Sequence, residues 1–213
     1  MRVASLNVGL PREVDWQGRR VRTGIFKAPV AGRVALRRHN LAGDAQADLT
    51  VHGGRDKAVY AYPVEHYDFW REQLPGRELP FGVFGENLTT EGLREDEVCV
   101  GDEFLIGTAR LVVTQPRMPC YKLGLRFGDP AMPKWFVAAR RPGIYFAVAG
   151  EGEIGPGDAI ERVRRDENGV TVADVLRLIV EEKGDGELLR RALRVPALAD
   201  VWRREFLERL AGG

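Results

Sequence analysis

Hydrophobic and polar residues change their spacing late in the chain. Up to about residue 163, short runs rich in β-branched and aromatic residues alternate with glycine-containing turns, a spacing typical of strands. This pattern predicts a mainly β fold, a barrel or sandwich rather than an alternating βαβ sheet. The predicted strands are 32–36, 57–62, 103–107, 110–114 and 143–148, and Gly-Asp turns recur at 43–44, 101–102, 128–129 and 157–158.

Two short helices are predicted to interrupt these strands. The first begins at Pro63 and runs to Leu74, because proline favours the first turn of a helix. The second runs from Pro133 to Arg141 and is stopped by Pro142-Gly143.

The last fifty or so residues have a helical period. Thr171 is predicted to cap a first helix that ends at Gly184, a second covers 188–193, and a third opens at Pro196. The third helix is predicted to bury Leu198, Val201, Trp202 and Phe206. We therefore divide the chain into a β domain at 1–165 and a three-helix bundle at 166–213.

The composition of the chain argues against several classes of function. The chain has 213 residues, 44% of them hydrophobic, and a formal net charge of +1. This charge argues against a nucleic-acid or membrane-surface binder, because such proteins usually carry a basic excess, and the charges of the C-terminal helices are balanced. Two cysteines cannot form a disulfide framework, and no segment reaches the length of a membrane span, so we expect a cytoplasmic protein.

Cys120 is the strongest candidate for chemistry. It lies between two prolines on one side and Lys122 on the other, and nearby positive charge from Arg117 and Lys122 favours the reactive thiolate. The alternative is a small buried apolar residue, the usual role of a lone cysteine. Cys99 is predicted to have that structural role, in a strand that ends at a turn.

A second candidate segment is His52-Gly53-Gly54 followed by Arg55 and Lys57. Two glycines let backbone N–H groups approach a ligand, and the cations suit an anion such as a phosphate. The alternative is a tight turn between strands with a hydrogen-bonded histidine.

Two further residues are candidate site residues because of their neighbours in the sequence. Asn87 follows Gly85-Glu86 in a turn that can aim its amide inward, and Lys27 is a lone cation in an apolar segment. His39 and His66 are interpreted as surface residues.

Several segments, in order, resemble the MOSC domain family, named after the C-terminal region of molybdenum cofactor sulfurase, and within it the bacterial YiiM-type subgroup with its three-helix C-terminal domain. The matching segments are 23–27, 43–48, 52–54, 56–60, 84–88, 115–117 and 119–120. The resemblance implies a MOSC-type β-barrel of bent, mostly antiparallel strands with short helices. The family as a whole is also described as binding pyridoxal phosphate, so the resemblance implies this ligand only at the level of the family.

The resemblance further implies a molybdenum cofactor, a molybdopterin with molybdenum, for which Cys120 is the metal ligand and the catalytic residue. A thiolate is a soft ligand that suits this metal. The implied cofactor contacts are Lys27, His52, Gly53, Gly54, Arg55, Lys57, Asn87, Arg117 and Lys122.

The implied activity is the reduction of small N-hydroxylated compounds, such as hydroxylamino-purines or amidoximes. A separate flavoprotein or other reductase is then expected to supply electrons, because the chain has neither a nucleotide-binding fingerprint nor an iron–sulfur cysteine set. One alternative is a non-catalytic carrier of molybdenum cofactor, or of sulfur as a Cys120 persulfide; another is a nucleic-acid protein that uses the C-terminal helices. A homodimer is left open.

Overall fold

A computed structural model of the chain describes residues 1–47, 53–181 and 185–212. Eight of its strands form one sheet in the order β12-β8-β9-β10-β6-β7-β1-β4, in which only the β6–β7 pair is parallel. Two smaller pairs, β2–β3 and β5–β11, lie outside this sheet. The strands are β1 (Arg2–Val8), β2 (Arg12–Trp16), β3 (Arg19–Thr23), β4 (Ala28–Pro29), β5 (Val34–Leu36), β6 (Val59–Pro63), β7 (Leu88–Glu91), β8 (Glu103–Ile106), β9 (Ala109–Pro116), β10 (Ile144–Gly150), β11 (Gly152–Ile154) and β12 (Ile160–Arg164).

The five strands predicted from the residue spacing and the mostly antiparallel pairing are confirmed, whereas the barrel is not. The ladder of the described strands stays open between its edge strands β12 and β4. One isolated bridge, between Arg2 and Ala159, brings the start of β1 to the segment before β12. Backbone hydrogen bonds support it, such as Val3 N–H to the Asp158 carbonyl at 2.9 Å, but no strand ladder forms there.

The sheet is buried on both faces. Along β6, Val59 and Ala61 belong to one hydrophobic cluster, and Tyr60 and Tyr62 belong to another. This alternation follows from the strand period of two, which sends successive side chains to opposite faces. The first cluster includes the C-terminal helices, and the second is an aromatic layer of residues such as Trp70, which is 1% exposed.

Three helices accompany the aromatic layer: α1 (Glu65–Gln73), α2 (Tyr121–Phe127) and α3 (Met132–Ala138). α1 and α3 confirm the two predicted helices, whereas α2 is an additional helix. His66 on α1 is 5% exposed, so its assignment to the surface is wrong. Its Nε2 lies 2.8 Å from Glu95, and Arg141 donates to its Nδ1 at 3.0 Å, which explains why the imidazole is tolerated in the interior.

The C-terminal helices are α4 (Val172–Val180), α5 (Gly186–Arg194) and α6 (Asp200–Gly212). Thr171 caps α4 as predicted: its hydroxyl accepts the Asp174 N–H at 3.0 Å, and the Asp174 carboxylate accepts the Thr171 N–H. The predicted stop at Gly184 lies outside the described residues. α6 begins at Asp200 rather than Pro196, and Val201 is 44% exposed, so its predicted burial is wrong.

Cys99 is fully buried, which agrees with a structural role. It forms an isolated bridge with Thr171 and does not lie in a regular strand, so the predicted strand there is wrong. The described helices include none that is both long and apolar enough to cross a membrane.

Candidate functional site

Cys120 opens onto a pocket at one edge of the aromatic layer. The pocket has about 720 Å³ of empty space, counting its open mouth. Its described lining comes from distant parts of the chain and includes Lys27, Asp44, Gln46, Lys57, Tyr60, Asn87, Arg117, Cys120, Lys122 and Tyr145.

A stiff connection presents the thiol. β9 ends at Pro116, and α2 begins at Tyr121, so Cys120 is the last residue before the helix, in an extended conformation with φ −119° and ψ 177°. Its carbonyl accepts the Leu123 N–H at 2.9 Å, which joins the loop to the first turn of α2. The side chain is half-buried, in contrast to that of Cys99.

Arg117 is a buried cation of this pocket. Only 6% of the residue is exposed, and its guanidinium lies 5.0 Å from the Tyr60 ring centroid and 5.2 Å from that of Phe136. Burial lowers the pKa of Arg117, but Tyr60, Tyr145 and Cys120 outweigh it and raise the pKa above the ordinary value. Its Nη1 has no hydrogen-bond partner among the described residues. A buried donor of this kind favours an anionic ligand, because an unmade hydrogen bond to a charged group is costly.

Two lysines add positive charge near the thiol. Lys57 lies on the short 3₁₀ turn Arg55–Lys57, and Lys122 lies on α2 and is 8% exposed. Burial lowers the pKa of Lys57, and the charges of Asp56 and Cys120 oppose that shift. Lys57 and Arg117 both interact electrostatically with Cys120.

Lys27 and Asn87 are bound to a shared carboxylate. The Lys27 ammonium forms an ion pair with Asp44, whose other oxygen accepts from Asn87 Nδ2 at 2.9 Å. The backbone N–H of Gly9 also donates to Asp44 at 3.0 Å. Both predicted residues therefore line the pocket, but the charge of Lys27 is balanced within the wall.

Two protein-family models match the chain that forms this pocket. The family model described as "MOSC domain" matches residues 48–161, and the one described as "YiiM-like, 3-alpha helix domain" matches residues 170–213. The chain belongs to the MOSC family. Among solved structures, this MOSC protein is similar to YiiM from Geobacillus stearothermophilus, with a TM-score of 0.81 and 36% identity over 98% of each chain.

Sequence relatives agree with this assignment. The MOSC chain is 42% identical to the uncharacterized protein YflK of Bacillus subtilis over 97% of its length and 93% of YflK. It is 34% identical to protein YiiM of Escherichia coli over 90% of its length and 86% of that protein. A protein of Gibberella moniliformis named "Reductase" is 32% identical over 91% of this chain, which spans only 35% of that relative.

The other predicted site residues of this MOSC protein either do not line the pocket or lie outside the described residues. Arg55 is exposed and lines a second cavity, on the far side of the 3₁₀ turn. Gly53 and Gly54 adjoin the turn without lining the pocket, and the Gly54 N–H donates to Gln46 at 3.2 Å. His52 lies outside the described residues.

Sequence reasoning missed two tyrosines of the MOSC pocket. Tyr60 and Tyr145 lie on the adjacent strands β6 and β10 as a registered pair, with ring centroids 5.1 Å apart. Burial raises the pKa of both phenols, so both are neutral at neutral pH. The alternation of aromatic and aliphatic residues along β6 was a signal, because it sends both β6 tyrosines to one face.

Asp44 and Gln46 were also missed as parts of the wall. Gln46 joins two segments of the pocket, because its side chain accepts from Gly54 and donates to the Lys57 carbonyl at 2.8 Å. The described residues contain no cluster of three or more His, Cys, Asp or Glu side chains suited to a metal. A metal at Cys120 would thus take one sulfur from the described protein residues and its other ligands from a bound group.

Proposed function

We propose that this MOSC protein is a molybdenum cofactor-dependent reductase of small N-hydroxylated compounds, in which Cys120 ligates molybdenum. The observation that carries the proposal is the placement of Cys120 in one pocket with Arg117, Lys57 and Lys122. Membership of the MOSC family supports the cofactor, since the family is associated with molybdenum cofactor enzymes. The relative named "Reductase" supports the reaction class.

The pocket residues fit such a cofactor by their chemistry. A pterin dithiolene ligand leaves a place for one soft protein ligand, and the thiolate of Cys120 is that type of donor. The pterin phosphate is a dianion, and Arg117 offers a buried guanidinium nitrogen without a partner among the described residues. Lys57 and Lys122 then supplement this anion site, whereas Lys27 is already paired with Asp44.

The reaction has a simple balance. Reduction of an N–OH group to N–H consumes two electrons and two protons and releases water, and the bound cofactor supplies the two-electron chemistry. Tyr145 is a neutral phenol in the lining, so it can donate a hydrogen bond and orient an N-hydroxylated substrate, whereas the Tyr60 hydroxyl already donates to the Pro142 carbonyl at 2.8 Å. The electrons come from a separate reductase, because the chain has no nucleotide fingerprint of its own.

The metal content of two cysteine variants tests the ligand assignment. Protein purified from a host that makes molybdenum cofactor is expected to carry about one molybdenum per chain, the number that one ligating thiolate allows. Cys120→Ser is expected to lose the metal and Cys99→Ser to retain it, because only Cys120 opens onto the pocket. Equal metal content in the two variants would contradict the assignment.

Arg117→Gln tests the anion site in the same preparation. Loss of a hydrogen bond to a charged group is expected to weaken cofactor retention by about 1.5–3 kcal/mol. Pterin is measured by fluorescence after release from the protein. Lys134→Gln is the matched control, because Lys134 is exposed on α3. Equal pterin content in both variants would show that Arg117 serves the fold alone.

A single-turnover assay separates the reductase from the carrier. Chemically reduced, molybdenum-loaded protein is expected to convert an N-hydroxylated purine or an amidoxime to its amine once, and to need an added reductase for further cycles. Loaded protein that leaves a panel of such substrates unchanged, yet transfers cofactor or sulfur to an apo-enzyme, would instead establish the carrier function.

A further inference from the structure

The 3₁₀ turn Arg55–Lys57 is attached to the C-terminal helix α6. The Trp202 indole Nε1 donates to Gln115 Oε1 at 2.9 Å, and the same Gln115 amide donates through Nε2 to the Asp56 carbonyl at 3.3 Å. Gln115 is 2% exposed and both bonds are partly buried, so solvent competes less for them than for bonds at the surface. One side chain of β9 therefore joins the turn to α6.

The same turn is also held directly by the sheet. Thr114, next to Gln115 on β9, donates its hydroxyl to the Asp56 carbonyl at 2.7 Å and lies 3.1 Å from the Tyr145 carbonyl. Gln46 binds the Lys57 carbonyl from the pocket side. The Asp56 carbonyl thus receives contacts directly from β9. Through Gln115, it is also connected to α6.

The two sides of the turn face different cavities. Lys57 lines the pocket of Cys120, whereas Arg55 and Asp56 line a second cavity with Pro196, Leu198 and Asp200. The turn is the partition between them. A displacement of the turn toward the second cavity would move Lys57 relative to Cys120, because Lys57 is the last residue of the turn.

We propose that Trp202 is a positioning residue, through which the C-terminal helices hold the 3₁₀ turn and thereby place Lys57 beside Cys120. This gives the helical unit a function in the pocket although none of its described residues lines that pocket. The inference rests on the proposed function for its significance, but the contacts that carry it belong to the protein without cofactor.

Hydrogen–deuterium exchange in the apo protein is the first test. Trp202→Phe keeps the aromatic ring and removes the indole donor, and Gln115→Met removes both amide bonds. Each is expected to accelerate amide exchange in peptides within 53–59 by about fivefold, the effect of losing a hydrogen bond of about 1 kcal/mol. The double variant should exchange no faster than Gln115→Met alone, because both changes interrupt one connection.

Phe206→Leu is the control for general loosening of the helix. Phe206 is fully buried one turn further along α6, and its substitution removes packing without removing the indole donor. Variants are compared at equal distance below their melting temperatures. If Phe206→Leu accelerates exchange within 53–59 as much as Trp202→Phe does, or if Trp202→Phe has no effect, the positioning role is refuted.

The alkylation rate of Cys120 connects the turn to the pocket. All chains carry Cys99→Ala, which leaves Cys120 as the sole thiol, and react with iodoacetamide at one fixed pH near neutrality. Trp202→Phe is expected to change the alkylation rate two- to fivefold, because a displaced Lys57 alters the surroundings of the Cys120 sulfur. In a Lys57→Gln background the same substitution should have no effect.

A rate that changes equally in both backgrounds, or does not change at all, would show that Trp202 does not act through Lys57. Neither measurement requires molybdenum. The positioning role can therefore be confirmed even if this protein binds no cofactor. It can equally be refuted even if this protein binds molybdenum.

Discussion

The buried ion pair between Lys27 and Asp44 allows a quantitative prediction about the pocket wall. Their side chains are 9% and 4% exposed. Asp44→Ala leaves the Lys27 ammonium in a low-dielectric site without this carboxylate, and it also removes the acceptor of Asn87 and of the Gly9 N–H. Removing one partner of a buried pair costs about 3–5 kcal/mol, so the free energy of unfolding should fall by that amount.

For a chain of this length, the loss corresponds to a fall in melting temperature of about 6–20 °C. Lys27→Met should cost less, because the carboxylate keeps two N–H donors, from Gly9 and Asn87. In the double variant the coupling between the two positions should be at least about 1.5 kcal/mol. Urea unfolding of the four proteins, followed by circular dichroism, measures all of these quantities.

The ion pair of Arg2 with Glu91 is the matched control. Its N–O distance is only 2.6 Å, but the side chains are 61% and 39% exposed. Glu91→Gln should leave the free energy of unfolding unchanged within error, because solvent screens an exposed pair. If Asp44→Ala costs less than about 1 kcal/mol, or adds independently to Lys27→Met, then burial does not decide the strength of these pairs and the reasoning is wrong.

Two further predictions concern stability. Thr171→Ala should lower the free energy of unfolding by about 1 kcal/mol, because α4 loses its side-chain cap, and Thr171→Ser should restore it in urea titrations; equal losses would contradict the capping role. Burial first, and the charge of Asp200 second, raise the pKa of Asp56, so ionisation of Asp56 opposes folding as the pH rises through its raised pKa. The Asp56→Asn variant should therefore have the same free energy of unfolding as the parent chain near pH 3 and a higher one at pH 7. A difference in the free energy of unfolding that is largest at pH 3 would contradict the predicted effect of Asp56 ionisation.

Local sequence signals predicted the strands and the cap of α4 because each depends on residues close together in the chain. α2 was missed since Cys120 is a poor capping residue and Gly124 lies inside the helix. The structure explains this glycine: a Cβ at position 124 would lie 2.8 Å from the Asp129 carbonyl oxygen. Helix propensity therefore gives way to close packing at this position.

The site was predictable in its residue types but not in its pairing. Cys120 and its cations were recognised because Arg117 and Lys122 are near it in sequence. The pairing of Lys27 with Asp44 spans 17 positions, and the contact of His66 with Arg141 spans 75. No local pattern encodes such contacts, which is why the sequence predicts an available cation at Lys27 and a surface residue at His66.

The bridge between Arg2 and Ala159 also has a consequence for synthesis of the protein on the ribosome. β1 emerges first, and β4 pairs with its end at Asn7 and Val8, but the outer edge at its start gains its partners only when residues 157–160 have been made. At the usual rate of about 5–20 residues per second, that edge waits on the order of ten seconds for its backbone partners. During this interval the nascent chain exposes an unpaired strand edge, so slower translation is expected to increase its aggregation and its dependence on chaperones.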